Sequence, residues 1–413
     1  MELLTLTVVL VIALALFFDF TNGFHDTANA MATPIATGAL KPKTAVALAA
    51  ILNLIGALLS TEVAKTVSGG ILHEDRISGD IFPFVIFAGL IGAIFWNMLT
   101  WLLGLPSSSS HALFGGLLGA AIVGIGFSAV NVAGVLSKII LPALLSPLTA
   151  ALIAFLCTKI AYRMTRRYDG RPNGRDGFRR GQVFTSSLVA LAHGTNDAQK
   201  TMGVITLVLI TAGWQSAAHH EPQLWVVLSC AITIALGTYM GGWRIIRTLG
   251  KGLTEVRPAQ GFAAETSTGA TILVSSALGF ALSTTQVASG SVIGSGLGRR
   301  GSKVQWSTAG KIVSGWLLTL PAAGLVGALA TVVIMVIGPW GLLIDTVVFG
   351  GVVLWLYLRS LAHRVDHANA FSDVAESGRA VDIKAKRSAA AGSDADESAG
   401  TTIDTPDDAR EGN

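Results

Sequence analysis

Runs of about 20 or more apolar residues recur along this chain almost to its end, and they limit the fold more tightly than any motif does. A helix of that length crosses the hydrocarbon core of a bilayer. Inside lipid, only helices and closed barrels satisfy their own backbone groups. The runs are 3–39 (interrupted near 21–29), 44–65, 84–104, 112–127, 131–160, 182–212 (interrupted near 193–200), 223–249, 264–282, 286–298, 309–337 and 340–359. Only 13% of the 413 residues are charged, about half the share in a soluble domain. The expected fold class is therefore an all-α polytopic membrane protein. Met1-Glu2-Leu3-Leu4 lacks the basic start of a signal peptide, so the first run is expected to stay as a span. Cys157 and Cys230 lie inside apolar runs without metal-ligand spacing and read as packing residues. The stretch 361–413, rich in Asp, Glu, Ser, Ala and Gly, reads as a disordered acidic tail.

Against this apolar background two polar stretches stand out as versions of each other. They are Gly23-Phe24-His25-Asp26-Thr27-Ala28-Asn29 and Gly194-Thr195-Asn196-Asp197-Ala198-Gln199-Lys200. An ionisable group at the centre of a spanning helix costs about 2.5–3.5 kcal/mol or more, so each marks a functional site. Asp19 and Glu265 also lie in apolar runs. Asp19 has no counterpart in the second copy, where Ala190 stands, and ranks below Asp26.

Charge in the connections sets the topology. Lys and Arg gather at 41–43, 163–180, 244–257, 299–303 and 359–364, whereas 68–81 is acidic on balance and 213–222 has no Lys or Arg. The excess of positive charge on cytoplasmic loops places the basic set inside. Residues 84–127 then begin and end outside, and 264–298 begin and end inside. Each reads as a re-entrant helical hairpin, and the two tips are expected to meet near the bilayer midplane. The tips also match: Pro106-Ser107-Ser108-Ser109-Ser110-His111 against Ala281-Leu282-Ser283-Thr284-Thr285-Gln286. Three crossings per copy make the second an inverted structural repeat, an arrangement found in secondary transporters.

The organisation that follows is a first transmembrane repeat over 1–160 and a basic cytoplasmic loop over 161–181. An inverted second repeat covers 182–337, and an extra span over 338–360 precedes the cytoplasmic tail. The N-terminus comes out external, the C-terminus cytoplasmic, and the location is the cell membrane. No nucleic-acid partner is expected.

The chemistry suggests an anion with a companion cation. Ser107, Ser108, Ser109, Ser110, Ser283, Thr284, Thr285 and Gln286 supply donors just where helices begin, and helix starts attract oxyanions. Some of these hydroxyls are expected to act as N-caps instead. Asp26 and Asp197 oppose an anion: at an effective dielectric of ~20, a carboxylate about 4–5 Å from one negative charge costs roughly 3–4 kcal/mol. A cation between them, protonated acids, or a neutral metal–anion pair removes the conflict. Lys200, three residues past Asp197, lies on the same helical face. His25 is a candidate proton carrier. An ion channel would need a through-pore ring of like side chains. An enzyme is not expected, because the Ser-rich tip beside His111 lacks an oriented acid and an elbow motif.

These paired motifs resemble the inorganic phosphate transporter (Pit) family over about residues 15–337. The resemblance implies phosphate uptake driven by a coupling cation, through an inverted-repeat fold that assembles as a homodimer. It implies that Asp26 and Asp197 serve coupling ions and that Ser108, Ser283 and their neighbours hold phosphate, with Asn29 and Asn196 lining the same site. Lys200 is a further phosphate-binding candidate, and His25 and Glu265 are further coupling-ion candidates. His25 replaces the Asn of sodium-coupled members, and Asn53 replaces a Glu, while the second-side Glu is present as Glu265. His25 with Lys200 resembles the bacterial proton-coupled branch, which takes phosphate as a neutral complex with a divalent metal. Proton symport is the favoured expectation, with a sodium-coupled phosphate permease or a sulfate or other oxyanion permease as the alternative. No cofactor and no resident metal are expected; a divalent metal would travel with the phosphate.

Overall fold

The computed structural model describes residues 2–73, 81–165, 172–216, 218–362 and 365–366. The acidic stretch 74–80, Arg166, Arg167, Arg171 and nearly all of the tail lie outside the described residues. What is described is almost entirely helical.

The first half contains α1 (Glu2–Ala36), α2 (Pro42–Ala57), α3 (Glu62–Gly70), α4 (Phe82–Leu103) and α5 (Ser109–Gly124). A short α6 (Val132–Val135) runs through one π turn, Leu136–Ile140, into α7 (Leu141–Thr165). The second half contains α8 (Pro172–Thr211), α9 (Leu224–Met240), α10 (Trp243–Lys251), α11 (Pro258–Ala277), α12 (Thr284–Gly298) and α13 (Trp306–Ile337), and α14 (Pro339–Ala362) follows. Prolines open α2, α11 and α14, where a missing N–H costs nothing. Gly104, at φ 65°, closes α4 in the left-handed conformation.

Among the described residues five helices are long and apolar enough to cross a membrane, or up to seven if each bent pair is one span. At 1.5 Å per residue, α5 and α12 reach only about 22–24 Å and fall short of a ~30 Å core. α4, with 22 residues, is long enough to cross on its own. The two hairpins are α4–α5 and α11–α12, each a pair of helices packed on one another around a polar tip.

Two expectations need correction. The breaks expected near 21–29 and 193–200 do not occur: α1 and α8 run unbroken through both polar stretches. Their polar side chains do not compete with the helix but use it or other helices, as when Thr27 Oγ1 donates to the Gly23 carbonyl at 2.7 Å. The breaks fall in the next runs instead. Residues 44–65 divide into α2 and α3 at a 69° bend, and 223–249 divide into α9 and α10 at a 67° bend at Gly241–Gly242. Gly241 carries φ 71°, which a side chain would resist.

Packing is reciprocal between the halves. Gly23 of α1 sits against the α9 backbone at Ile234, and Gly194 of α8 sits against the α2 backbone at Asn53. Gly237 meets Phe20, as Gly56 meets Leu191. The hairpins cross over in the same way: Gly115 and Gly119 of α5 lie on Leu320 and Gly324 of α13, and Gly290 and Gly294 of α12 lie on Pro147 and Ala151 of α7. Each half is thus completed by the other, and α1 and α8 run side by side through the middle.

Candidate functional site

The packing of α1 on α8, with the starts of α5 and α12 laid across them, brings both aspartates to one buried spot. Asp26 and Asp197 are each at most 1% exposed. His193 lies between them, with Nε2 2.8 Å from Asp197 Oδ2 and 3.9 Å from Asp26 Oδ2. It is one turn before Asp197 on the same face of α8. The ligating atoms of Asp26, His193 and Asp197 all lie within 4.8 Å of one another.

The remaining carboxylate oxygens are shared out in an orderly way. Asp26 Oδ1 faces His25 Nδ1 at 2.6 Å and accepts from Thr285 Oγ1 at 3.2 Å. Asp26 Oδ2 accepts from Ser109 Oγ at 2.7 Å. Asp197 Oδ1 is paired with the Lys200 ammonium, and Asp197 Oδ2 accepts from Thr284 Oγ1 at 2.9 Å. Lys200 is 1% exposed and also donates to Ser110 Oγ at 2.6 Å and to the Leu282 carbonyl at 2.8 Å. Its amine therefore ties α8 to both hairpin tips. Ser110 Oγ in turn reaches the Leu282 carbonyl at 3.4 Å, so the two tips do meet.

The other residues singled out in the sequence sort by position. Asn29 donates to Thr284 and Thr285 hydroxyls at 3.3 and 3.0 Å, and its Oδ1 has no hydrogen bond among the described residues. Ser108 and Ser283 are the N-caps of α5 and α12, accepting from the N–H groups of His111 and Gln286. They hold the helix starts in place, and it is the residues after them, Ser109, Thr284 and Thr285, that touch the acids. The Gln286 Oε1 is buried without a hydrogen-bond partner among the described residues. Ser107 donates to Thr100 Oγ1 at 2.8 Å and sits 3.4 Å from His25 Nε2, the ring nitrogen that does not face Asp26. Asn196 points away, donating to Ser276 Oγ at 2.9 Å and to the Phe280 carbonyl at 3.3 Å.

Glu265 forms a separate centre. It accepts from Thr33 (2.8 Å), Gln182 (3.0 Å) and Thr185 (2.5 Å). A cavity of about 10 Å³, lined in part by Asn29, Thr33 and Glu265, lies between this carboxyl and the main site; that is room for about one water. Asp19 accepts from Thr201 at 3.0 Å, deep between α1 and α8.

His193 is the residue that the sequence does not single out. Its signal is its spacing, four residues before Asp197, but the third member of the group comes from the other half of the chain, where no local pattern announces it.

A model of the phosphate transporter family matches the chain twice, over residues 22–175 and 165–327. The chain belongs to the phosphate transporter family. It is 53% identical over 378 residues to a Mycobacterium bovis protein named "Probable low-affinity inorganic phosphate transporter", covering 90% of this chain and 88% of that one. A Bacillus subtilis protein of the same name is 42% identical over 330 residues, covering 80% and 98%. Among solved structures, one described as "The sodium-dependent phosphate transporter" superposes with a TM-score of 0.72 at 24% identity. It covers 80% of this chain and 99% of that chain. At that identity the likeness shows a common fold. The family consists of transporters, so this is a multi-pass membrane transporter and not an enzyme.

Proposed function

We propose that this protein carries inorganic phosphate into the cell by symport with protons, and that it takes phosphate as a neutral complex with a divalent metal. The observation that carries this reading is the set of ion pairs in the buried site. Two buried carboxylates face one buried ammonium, that of Lys200, and one proton shared with His25 or His193 makes the group neutral. A buried site balanced without cargo can admit only a neutral cargo or a neutral combination of ions, because an uncompensated charge in such a place costs several kcal/mol. A metal ion with monohydrogen phosphate meets that condition, and free phosphate dianion does not.

The anion's place in this reading is between the starts of α5 and α12. There the hydroxyls of Ser109, Thr284 and Thr285, which donate to the acids in this structure, and the Lys200 amine stand beside the first backbone N–H groups of both helices and can turn to an anion. Asn29 and Gln286 each bring a buried amide to the same neighbourhood. His25, bonded to Asp26 and 3.3 Å from Thr100, is the proton carrier in this scheme, and Glu265 a second acid along the path. The basic connections at Lys41, Lys43, Arg244 and Arg247 face the cytoplasm, and the loop at 213–222 faces outside. This orientation makes the second repeat the inverted copy of the first. A homodimer is the assembly that the family resemblance implies.

Sodium coupling is the second reading, since an oxygen-rich group of carboxylates and hydroxyls suits a hard cation. The fold neighbour's sodium dependence belongs to that protein. In this chain an ammonium and an imidazole already stand against the acids.

The test is uptake of labelled phosphate into proteoliposomes with a proton gradient imposed and then collapsed by a protonophore. Uptake that saturates and falls to background on collapse, unchanged by sodium, is the expected result. Uptake that persists after collapse and follows a sodium gradient would establish the second reading. Excess sulfate is expected not to compete; if it does, the cargo is an oxyanion of broader class.

A further inference from the structure

We propose that Asp26 Oδ2, His193 Nε2 and Asp197 Oδ2 form a seat for the divalent metal, with an oxygen of phosphate as its fourth ligand. This rests on the metal–phosphate reading above and adds the ion's place and its nitrogen ligand.

Asn53 fixes the state of the imidazole. Its Nδ2 donates to Thr238 Oγ1 at 2.7 Å, which leaves Oδ1 to face His193 Nδ1 at 3.1 Å. A carbonyl oxygen only accepts, so Nδ1 carries the hydrogen. The other ring nitrogen, Nε2, is turned toward two carboxylate oxygens, 2.8 Å from Asp197 Oδ2 and 3.9 Å from Asp26 Oδ2. Nε2 is buried, and once its proton leaves, a lone pair faces those oxygens. Three electron-rich atoms converging in a dry place require positive charge between them. An imidazole fixed through its far nitrogen by a carbonyl oxygen is the arrangement by which proteins hold metal-ligating histidines in one tautomer.

Distances favour an ion over a proton alone. A proton on Nε2 serves Asp197 at 2.8 Å but leaves Asp26 at 3.9 Å out of reach. In a tetrahedral shell with bonds of about 2.0–2.2 Å, neighbouring ligand atoms stand about 3.3–3.6 Å apart. The two observed separations bracket that value, and the ligand atoms of all three residues lie within 4.8 Å of one another.

The outer contacts fit as well. Each carboxylate gives one oxygen to a fixed partner, His25 for Asp26 and Lys200 for Asp197, and turns the other to the centre. Ser109 and Thr284 donate to those central oxygens and hold them in place. Both hydroxyls stand at the helix starts where the anion is placed, so metal and phosphate become neighbours. A set of one imidazole and two carboxylates suits Mn²⁺, Co²⁺ or Zn²⁺ better than Ca²⁺.

The experiment uses the full-length protein in lipid nanodiscs with Mn²⁺ and inorganic phosphate. Pulsed electron paramagnetic resonance reads nitrogen coupled to the bound ion. The expected result is one imidazole nitrogen whose signal changes on ¹⁵N-histidine labelling and vanishes in His193→Gln but survives in His25→Asn. Asn53→Ala, which removes the orienting contact together with the hydrogen bond to Thr238 but none of the three ligands, is expected to weaken Mn²⁺ binding by about 10–100-fold. Bound Mn²⁺ with no histidine nitrogen, in a protein whose phosphate uptake requires the metal, overturns the seat and leaves the metal–phosphate reading standing. Phosphate uptake at full rate without any divalent ion overturns both.

Discussion

Asp26 and Asp197 lose their charge and their ion pairs when changed to Asn, which still accepts from the neighbouring hydroxyls. Each substitution is expected to abolish coupled uptake in vesicles while the protein remains folded in the membrane, and accumulation at the wild-type level in either would remove the acids from the site. The serines divide into two groups. Ser108→Ala and Ser283→Ala remove N-caps, for which the expected loss is about 0.5–2 kcal/mol of stability, read as a lower melting temperature. Ser109→Ala and Thr284→Val instead remove donors that touch the acids, and a raised half-saturation for phosphate is expected at little change in melting temperature. The reverse pattern would return the anion to Ser108 and Ser283. Asp26, Asp197, Lys200 and the Ser-rich tips are legible in the sequence because an ionisable group in an apolar run is too costly to keep without a use. Which hydroxyl of each tip meets an acid is not legible. That depends on the residue that becomes the N-cap, and a shift of one position turns a cap into a ligand. His193 is hidden by distance along the chain: its partners Asn53 and Asp26 lie 140 and 167 positions away.

The helices that carry the acids differ most from what the sequence suggests. Gly, Asn and Asp in an apolar run read as a break, but α1 and α8 are continuous. Gly23 and Gly194 serve close packing instead, with no room for a Cβ against the backbones of α9 and α2. Because the acids lie three residues beyond these glycines, the crossings fix where the carboxylates stand. Gly23→Val and Gly194→Val are expected to destabilise by about 1–3 kcal/mol or more through overpacking. Loss of monodisperse protein on heating is the measurement; unchanged stability would show that the crossings are loose. The bends at 58–61 and 241–242 escape a sequence reading because an apolar run records burial and not direction. Gly241-Gly242 is the available hint on one side, and Leu58-Leu59-Ser60-Thr61 gives little on the other.

Taken together, the two halves build a site that neither could build alone. Asp26 comes from the first half and Asp197 from the second, and each tip donates to an acid: Ser109 to Asp26, Thr284 to Asp197. Repetition in the sequence announces this pairing, and the reciprocal contacts of α5 with α13 and of α12 with α7 give it physical form. Thiol labelling checks the proposed orientation. In a background free of Cys157 and Cys230, a cysteine at Lys43 is expected to react with an impermeant thiol reagent only from the cytoplasmic side. One at Glu221 is expected to react only from outside. Labelling of both from one side would refute the inversion. The most direct test of coupled, charge-neutral transport is the initial rate of labelled phosphate uptake into proteoliposomes at alkaline pH, in medium stripped of divalent ions and sodium. The predicted rate is at background and is restored by Mg²⁺ or Mn²⁺; rapid uptake of free phosphate dianion in that stripped medium would contradict it.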